Sequence, residues 1–443
     1  MNLIPRPKYL AELIKWQPHQ DLVKIVTGVR RCGKSKLFEI FQNHLKDTGV
    51  SPSQIISLNL EDPDVVEAVG LTVDSNDMLV EWEVLYNFIK DKMSPDKKNY
   101  IFIDEVQRLK NWHHVANGLR LRENTDVYLT GSNAYMFSSD LSNMFGGRFV
   151  EIKMQPLSFA EYASSTKNPR PRFHIENQLR MYKPDEKFIF SEKKGSDQLY
   201  QDYTKNSGFP QTLSFDEDED KIKTYLLDSV YKNTVQKDVV ARFGISNPIR
   251  LYEITKFIFD NISNPTSVNG IARTLKSNGI NISTTTLNNY IQGLLDSYLV
   301  YKCDPFDIKG KRILASESKY YACDIGLRDA IIGRTGKDAG RALENIVYLE
   351  LLRRGYSVAT GRVSAQTGKT TEVDFVATKA GGVVEYYQVA WNVLTDNTEI
   401  LERELRSLFA IKDNYPKFLI TMDIGSDNNN GIQRINAVDW LLN

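Results

Sequence analysis

Four short apolar runs punctuate the first part of the chain: Val23 to Val26, Gln54 to Leu60, Tyr100 to Ile103 and Asp126 to Thr130. Each has the length and composition of a buried strand. After the first run, Leu37, Phe38, Ile40 and Phe41 fall on one face of a helix. The second run follows at the spacing of a βαβ unit, and Glu61-Asp62-Pro63 ends it. From about Ala163 to Lys223 the pattern weakens. Lys167 to Arg172 reads as a locally basic loop, and Asp216 to Asp220 as a solvated turn or helix start. Tyr225 to Phe243 predicts an amphipathic helix, with Leu226, Val230, Val235 and Val239 near one face.

Periodicity returns in the second half. Val268 to Leu275 and Thr286 to Ser297 predict two helices, separated by a turn at Ser277-Asn278-Gly279 and capped at Ser283-Thr284-Thr285. Tyr298 to Phe306 and Ile313 to Ala322 flank Asp307 to Arg312, which predicts a hairpin with a basic tip. Leu343-Glu344-Asn345 opens an apolar helix that runs to Arg354. Glu372 to Val376 and Tyr386 to Ala390 predict two further strands.

The sharpest chemical statement is Gly28-Val29-Arg30-Arg31-Cys32-Gly33-Lys34-Ser35, a complete P-loop pattern set between a strand and a helix. The two glycines let the backbone curl so that N–H groups face phosphate oxygens. Lys34 then meets the β- and γ-phosphates, and Ser35 offers a hydroxyl to Mg²⁺. The nucleotide-contacting set is Gly28, Val29, Arg30, Arg31, Cys32, Gly33, Lys34, Ser35 and Lys36, with the phosphates at the helix N-terminus.

The third strand runs straight into Asp104-Glu105, a Walker B arrangement. Asp104 is expected to hold Mg²⁺ with Ser35, and Glu105 to orient and polarise the attacking water. The fourth strand ends at Gly131-Ser132-Asn133, where Asn133 or Ser132 can sense the γ-phosphate or cap a helix. Arg148, after Gly146-Gly147, reads either as an arginine finger supplied to a neighbouring subunit or as a structural ion pair.

At 443 residues the chain exceeds what one hydrophobic core serves. Its formal net charge is zero, so any basic surface is local. Cys32, Cys303 and Cys323 are too few and too odd in number for a disulfide framework or zinc cluster, which points to a reducing, cytoplasmic setting. Cys32 reads as a small loop filler or an oxidant sensor. The polar start and the lack of a long apolar run give no signal core and no bilayer span.

Val26 to Ser35, Phe102 to Gln107, Thr130 to Ala134, Gly147-Arg148 and Pro156 to Tyr162 occur in that order. Together they resemble a large family of bacterial and archaeal AAA+ ATPases with a C-terminal region known only as a domain of unknown function. The resemblance implies an α/β chain: a P-loop AAA+ core at 1–160, a helical lid at 161–250, a winged helix at 251–325 and a small PD-(D/E)xK nuclease-like domain at 326–443. Gly208-Phe209-Pro210 is similar to the family's turn between lid helices, and Arg242 is a candidate lid sensor.

Under that resemblance Thr284, Thr285, Asn288, Asn289, Lys309, Lys311 and Arg312 form a DNA-facing set. Glu344, Asp374 and Gln388 match the acidic positions of the nuclease fold. The lysine two residues on is Ala390 here, and Lys369 and Lys379 are the nearest replacements in sequence. Without that lysine a metal site can survive while cleavage is lost. The expectation is an ATP hydrolase using ATP and Mg²⁺, switching its hold on DNA or a protein partner, capable of forming homo-oligomers and with no nuclease activity. Two rival expectations are an ATP-gated DNA nuclease in defence or mobile-element biology and a nucleotide-binding scaffold with little turnover.

Overall fold

The computed structural model describes residues 3–75, 77–132, 144–165, 193–240, 245, 247–314, 317–333, 338–364, 370–394 and 398–443. Two compact units emerge. The first comprises Met1–Pro156 with Asp296–Tyr298, and the second is built from residues after Leu157, including Leu299–Asn443.

The first unit is a parallel sheet wrapped by helices. Its elements are α1 (Pro7–Trp16), β1 (Val23–Thr27), α2 (Lys34–Asp47), β2 (Ile55–Asn59), α3 (Pro63–Val69), α4 (Trp82–Lys92), β3 (Asn99–Asp104), α5 (Trp112–Arg120), β4 (Thr125–Gly131) and β5 (Phe149–Lys153). The strand order is β2-β3-β4-β1-β5, all parallel. Strands β1, β3 and β4 are buried throughout, which is why they read as unbroken apolar runs. Phe38 and Phe41 of α2 pack edge-on against Phe102 of β3. One buried polar knot interrupts this core: Lys24 Nζ lies 2.5 Å from Asp126 Oδ1, and Tyr128 and Lys98 contact the other oxygen at 3.0 and 3.1 Å.

The second unit begins with α6 (Phe159–Ser165), α7 (Lys193–Asn206) and α8 (Glu219–Thr224). Asp218 caps α8, so the acidic run is a helix start. The helix expected from Tyr225 is drawn out into two π-helical segments, Tyr225–Lys232 and Val235–Val240. Residues 241–244, and with them Arg242, lie outside the described residues. Then come α9 (Pro248–Asp260), α10 (Val268–Ser277) and α11 (Thr284–Asp296), with Ser267 and Ser283 accepting the capping N–H bonds.

Strands β6 (Val300–Cys303), β7 (Pro305–Asp307), β8 (Arg312–Ile313) and β9 (Lys319–Ala322) follow, then α12 (Ile325–Ile332), α13 (Ala339–Arg353), β10 (Ser357–Ser364), β11 (Thr370–Lys379), β12 (Val383–Ala390), α14 (Thr398–Phe409), β13 (Lys417–Thr421), β14 (Asp427–Asn429), β15 (Ile432–Asn436) and α15 (Ala437–Leu442). Strands β10, β11 and β12 form an antiparallel meander, and β13 joins β12 in parallel.

The expected hairpin with a basic tip is present, paired in two segments. β6 and β9 pair antiparallel as a separate two-stranded sheet, and β7 and β8 continue the hairpin antiparallel up to the turn. The outer segment also joins the eight-stranded sheet: β7 adds in parallel to β10 and leaves β8 at the rim. Hydrogen bonding explains this addition. Thr360 N donates to Asp304 O and Ile308 N to Arg362 O, so β7 satisfies backbone groups that would otherwise line an open sheet edge.

Candidate nucleotide site and acidic cluster

Strand β1 feeds directly into the P-loop, and the loop's bends fall where its sequence allows them. Gly28 takes φ +145° and Gly33 φ +105°, both in the left-handed half of backbone space. A Cβ on Gly28 would run into the Met154 carbonyl, so glycine is required there on two counts. Arg6 braces the loop from outside. Its guanidinium donates to Cys32 O at 2.9 Å and to Gln155 O at 2.7 Å, and it is buried. Nothing in the sequence singled out Arg6.

Within the loop, Lys34 opens α2 and its ammonium donates to Gly28 O at 2.9 Å and Val29 O at 3.2 Å. Arg30 pairs with Glu61 at 3.2 Å. Lys36 pairs with Glu39 on the surface of α2. Cys32 is fully buried and burial pushes its thiol up, so the filler reading holds over the oxidant sensor.

Across the sheet, the end of β3 presents the two acids. Thr130 of β4 donates its hydroxyl to Asp104 Oδ1 and accepts Glu105 N at 2.9 Å. Glu105 adopts φ +53°, which turns its side chain off the strand path. Gln107 then ties it down: its amide donates to Glu105 Oε2 and to Ser132 Oγ at 3.2 Å. Burial holds the Glu105 carboxyl above the usual carboxylate range, and the Lys34 and Arg30 charges pull it back. Ser35 and Asp104 offer hard oxygen donors of the kind Mg²⁺ takes. Asn133 lies outside the described residues. Gln107 had no role assigned from sequence, although it sits two residues past Glu105.

Arg148 is exposed, and among the described residues its side chain has no ion-pair partner. Its carbonyl accepts Val23 N, so it lies beside the first residue of β1. The P-loop begins at the other end of that five-residue strand, about 16 Å away at strand rise. Arg148 is therefore out of reach of its own chain's loop.

In the second unit, Thr285, Asn288 and Asn289 are exposed on α11, and Lys309, Lys311 and Arg312 are exposed around β8. A cleft of about 620 Å³ opens beside the N-terminus of α11, lined by Asn269, Arg273, Lys276, Asn281, Ser283 and Thr284. Arg273 and Lys276 add positive charge that the sequence reading did not include.

Glu344 of α13 and Asp374 of β11 do come together, but around a residue not anticipated. Lys319 Nζ is 3.0 Å from Glu344, 3.1 Å from Asp374 and 2.8 Å from Glu372. Burial disfavours that ammonium, and the Asp374, Glu344 and Glu372 charges outweigh it, so its pKa rises. Glu344 is pushed up to about 8, by burial first and Asp374 second. Gln388 stands behind Asp374: its oxygen accepts from Asp374 N and Ser407, and its amide donates to Glu404 at 3.0 Å. Among the described residues no helix is long and apolar enough to cross a membrane.

Sheet order, P-loop and paired acids define a P-loop AAA+ ATPase. Residues 20–163 match a family described as an AAA domain, and residues 197–338 a domain of unknown function, DUF8612. An uncharacterised protein of Haemophilus influenzae is 35% identical over 442 residues, 99% of each chain. The chain belongs to that protein's family of AAA-domain ATPases. An uncharacterised protein of Methanocaldococcus jannaschii is 27% identical over 442 residues, covering 99% of this chain and 90% of the relative. A Walker-type ATPase of Pyrococcus abyssi is similar with 13% identity and a TM-score of 0.42, over 74% of this chain and 95% of that one.

Proposed function

We propose that the chain hydrolyses ATP with Mg²⁺ and uses its nucleotide state to switch the hold of the second unit on duplex DNA or a protein partner. The observation that carries the ATPase reading is Glu105. It is half-buried beside Lys34's charge and held by Gln107 at the end of a strand whose Asp104 is fixed by Thr130. In this reading the loop N–H groups and Lys34 cradle the phosphates, and Ser35 and Asp104 hold the metal, directly or through water. Glu105 takes the proton-side contact of the attacking water. Arg148 completes the site of a neighbouring copy, which its distance from its own loop favours.

The DNA reading is supported by the arrangement of α9, α10, α11 and the β6–β9 hairpin, which fits a winged helix, with Arg273 and Lys276 flanking the exposed start of α11. The order α13, β10, β11, β12, α14, β13 fits a nuclease-like fold. Ala390 and the engagement of the acids by Lys319 favour an inert one. The test is a mobility shift of duplex DNA by the full chain over a salt series, with and without ATP, using Glu105→Gln to hold the ATP state. ATP should tighten binding, and salt should weaken it. Equal shifts with and without ATP, in wild type and Glu105→Gln alike, would refute the switch on DNA.

A further inference from the structure

Lys319 opens β9, and its side chain is only 4% exposed. An ammonium has three N–H donors. Here each has a carboxylate oxygen: Glu344 Oε1 at 3.0 Å, Asp374 Oδ1 at 3.1 Å and Glu372 Oε1 at 2.8 Å. The same strand makes further bonds to α13. Tyr321 donates its hydroxyl to Glu344 Oε1 at 2.8 Å, and its ring stacks on Tyr348 with centroids 4.1 Å apart. Asn345 closes the strand end, accepting Ala322 N at 2.8 Å and donating to Ala322 O at 2.9 Å. Asp374's second oxygen accepts Val389 N at 2.9 Å.

We propose that Lys319 is a resident cation that fills the place a divalent ion would take among Glu344, Glu372 and Asp374, and clamps β9 to the eight-stranded sheet without metal. Two physical arguments carry it. A small divalent ion needs these oxygens at about 2.1 Å from a common centre. That centre is where the ammonium already sits, with its oxygens at hydrogen-bond distance instead. The ammonium also has no donor left over, so it cannot turn to steady a phosphate as the lysine of a cutting site must. Tyr321 and the Val389 N–H then serve the charge that one ammonium leaves uncompensated, as neutral donors to buried acids must. The proposal rests on the nuclease-like reading only in supposing that a metal would otherwise sit here.

The experiment is Mn²⁺ titration of the nucleotide-free full chain, read as loss of the free-ion paramagnetic signal, with thermal melting alongside. Wild type should take up no Mn²⁺ that Asp374→Asn removes, and its melting should be unchanged by Mn²⁺ or a chelator. Lys319→Met should melt lower, gain one Mn²⁺ per chain, and lose that ion again in the Lys319→Met/Asp374→Asn double variant. Lys319→Arg should keep the clamp and bind no ion. A folded Lys319→Met that gains no ion overturns the proposal. So does wild-type uptake abolished by Asp374→Asn, a comparison that decides the matter even if Lys319→Met fails to fold. Such uptake without DNA cleavage would sink the clamp alone. Cleavage lost in Asp374→Asn would sink the inert-domain reading too.

Discussion

Glu105 depends on a neighbour that does no chemistry itself. Gln107 bonds both Glu105 and Ser132, so it links the water-handling acid to the end of β4. A hydrogen bond to a charged group is worth about 1.5–3 kcal/mol. Removing it should loosen Glu105 without touching the phosphate cradle. Gln107→Ala is therefore expected to lower ATP turnover by about tenfold or more while leaving ATP affinity unchanged. Steady-state kinetics beside equilibrium binding of a fluorescent nucleotide checks this. Unaltered turnover would show that Gln107 holds Glu105 for stability alone. The P-loop residues were legible because each is required by local geometry, as Gly28 shows. Gln107 and Arg6 were not, because their partners become neighbours only after folding. Asn133 lies outside the described residues.

At the level of elements, β1 to β4 were visible as apolar runs, and the structure finds them within a residue or two. The charged residues inside them needed the sheet to make sense. Lys24 lies on β1 and Asp126 on the adjoining β4, and both side chains are fully buried. Burial pulls the Lys24 ammonium down, and Asp126 pulls it back up. Asp126→Ala leaves that ammonium unpaired and should cost about 3–5 kcal/mol of stability. Lys24→Met/Asp126→Leu should recover most of the loss, as measured by denaturant unfolding. A single variant as stable as wild type would mean the pair carries no net weight.

Leu226, Val230, Val235 and Val239, the predicted amphipathic face, are all buried. Its steps of four, five and four residues do not suit a regular α-helix. The π-helical turns absorb the longer step. Two features of the second unit were illegible for one reason, sequence distance. Lys319 lies 25 residues from Glu344 and 55 from Asp374. The addition of β7 to the eight-stranded sheet is decided by β10, which comes about fifty residues later and supplies the open edge.

On the scale of the whole molecule, the role proposed for Arg148 needs more than one copy for full ATP turnover. Arg148 is exposed and far from its own P-loop, so a finger role is possible only in trans. The rate per chain should rise with protein concentration, and Arg148→Ala should abolish that rise and slow the assembled enzyme by about 10³-fold or more. A concentration-independent rate from a monodisperse monomer would return Arg148 to a surface residue. Whether this P-loop both binds and hydrolyses ATP is decided by measuring nucleotide binding and phosphate release on wild type, Lys34→Ala and Glu105→Gln together. Lys34→Ala should lose binding and turnover, and Glu105→Gln should bind ATP as wild type does and release almost no phosphate. Phosphate release by Glu105→Gln at the wild-type rate would contradict this.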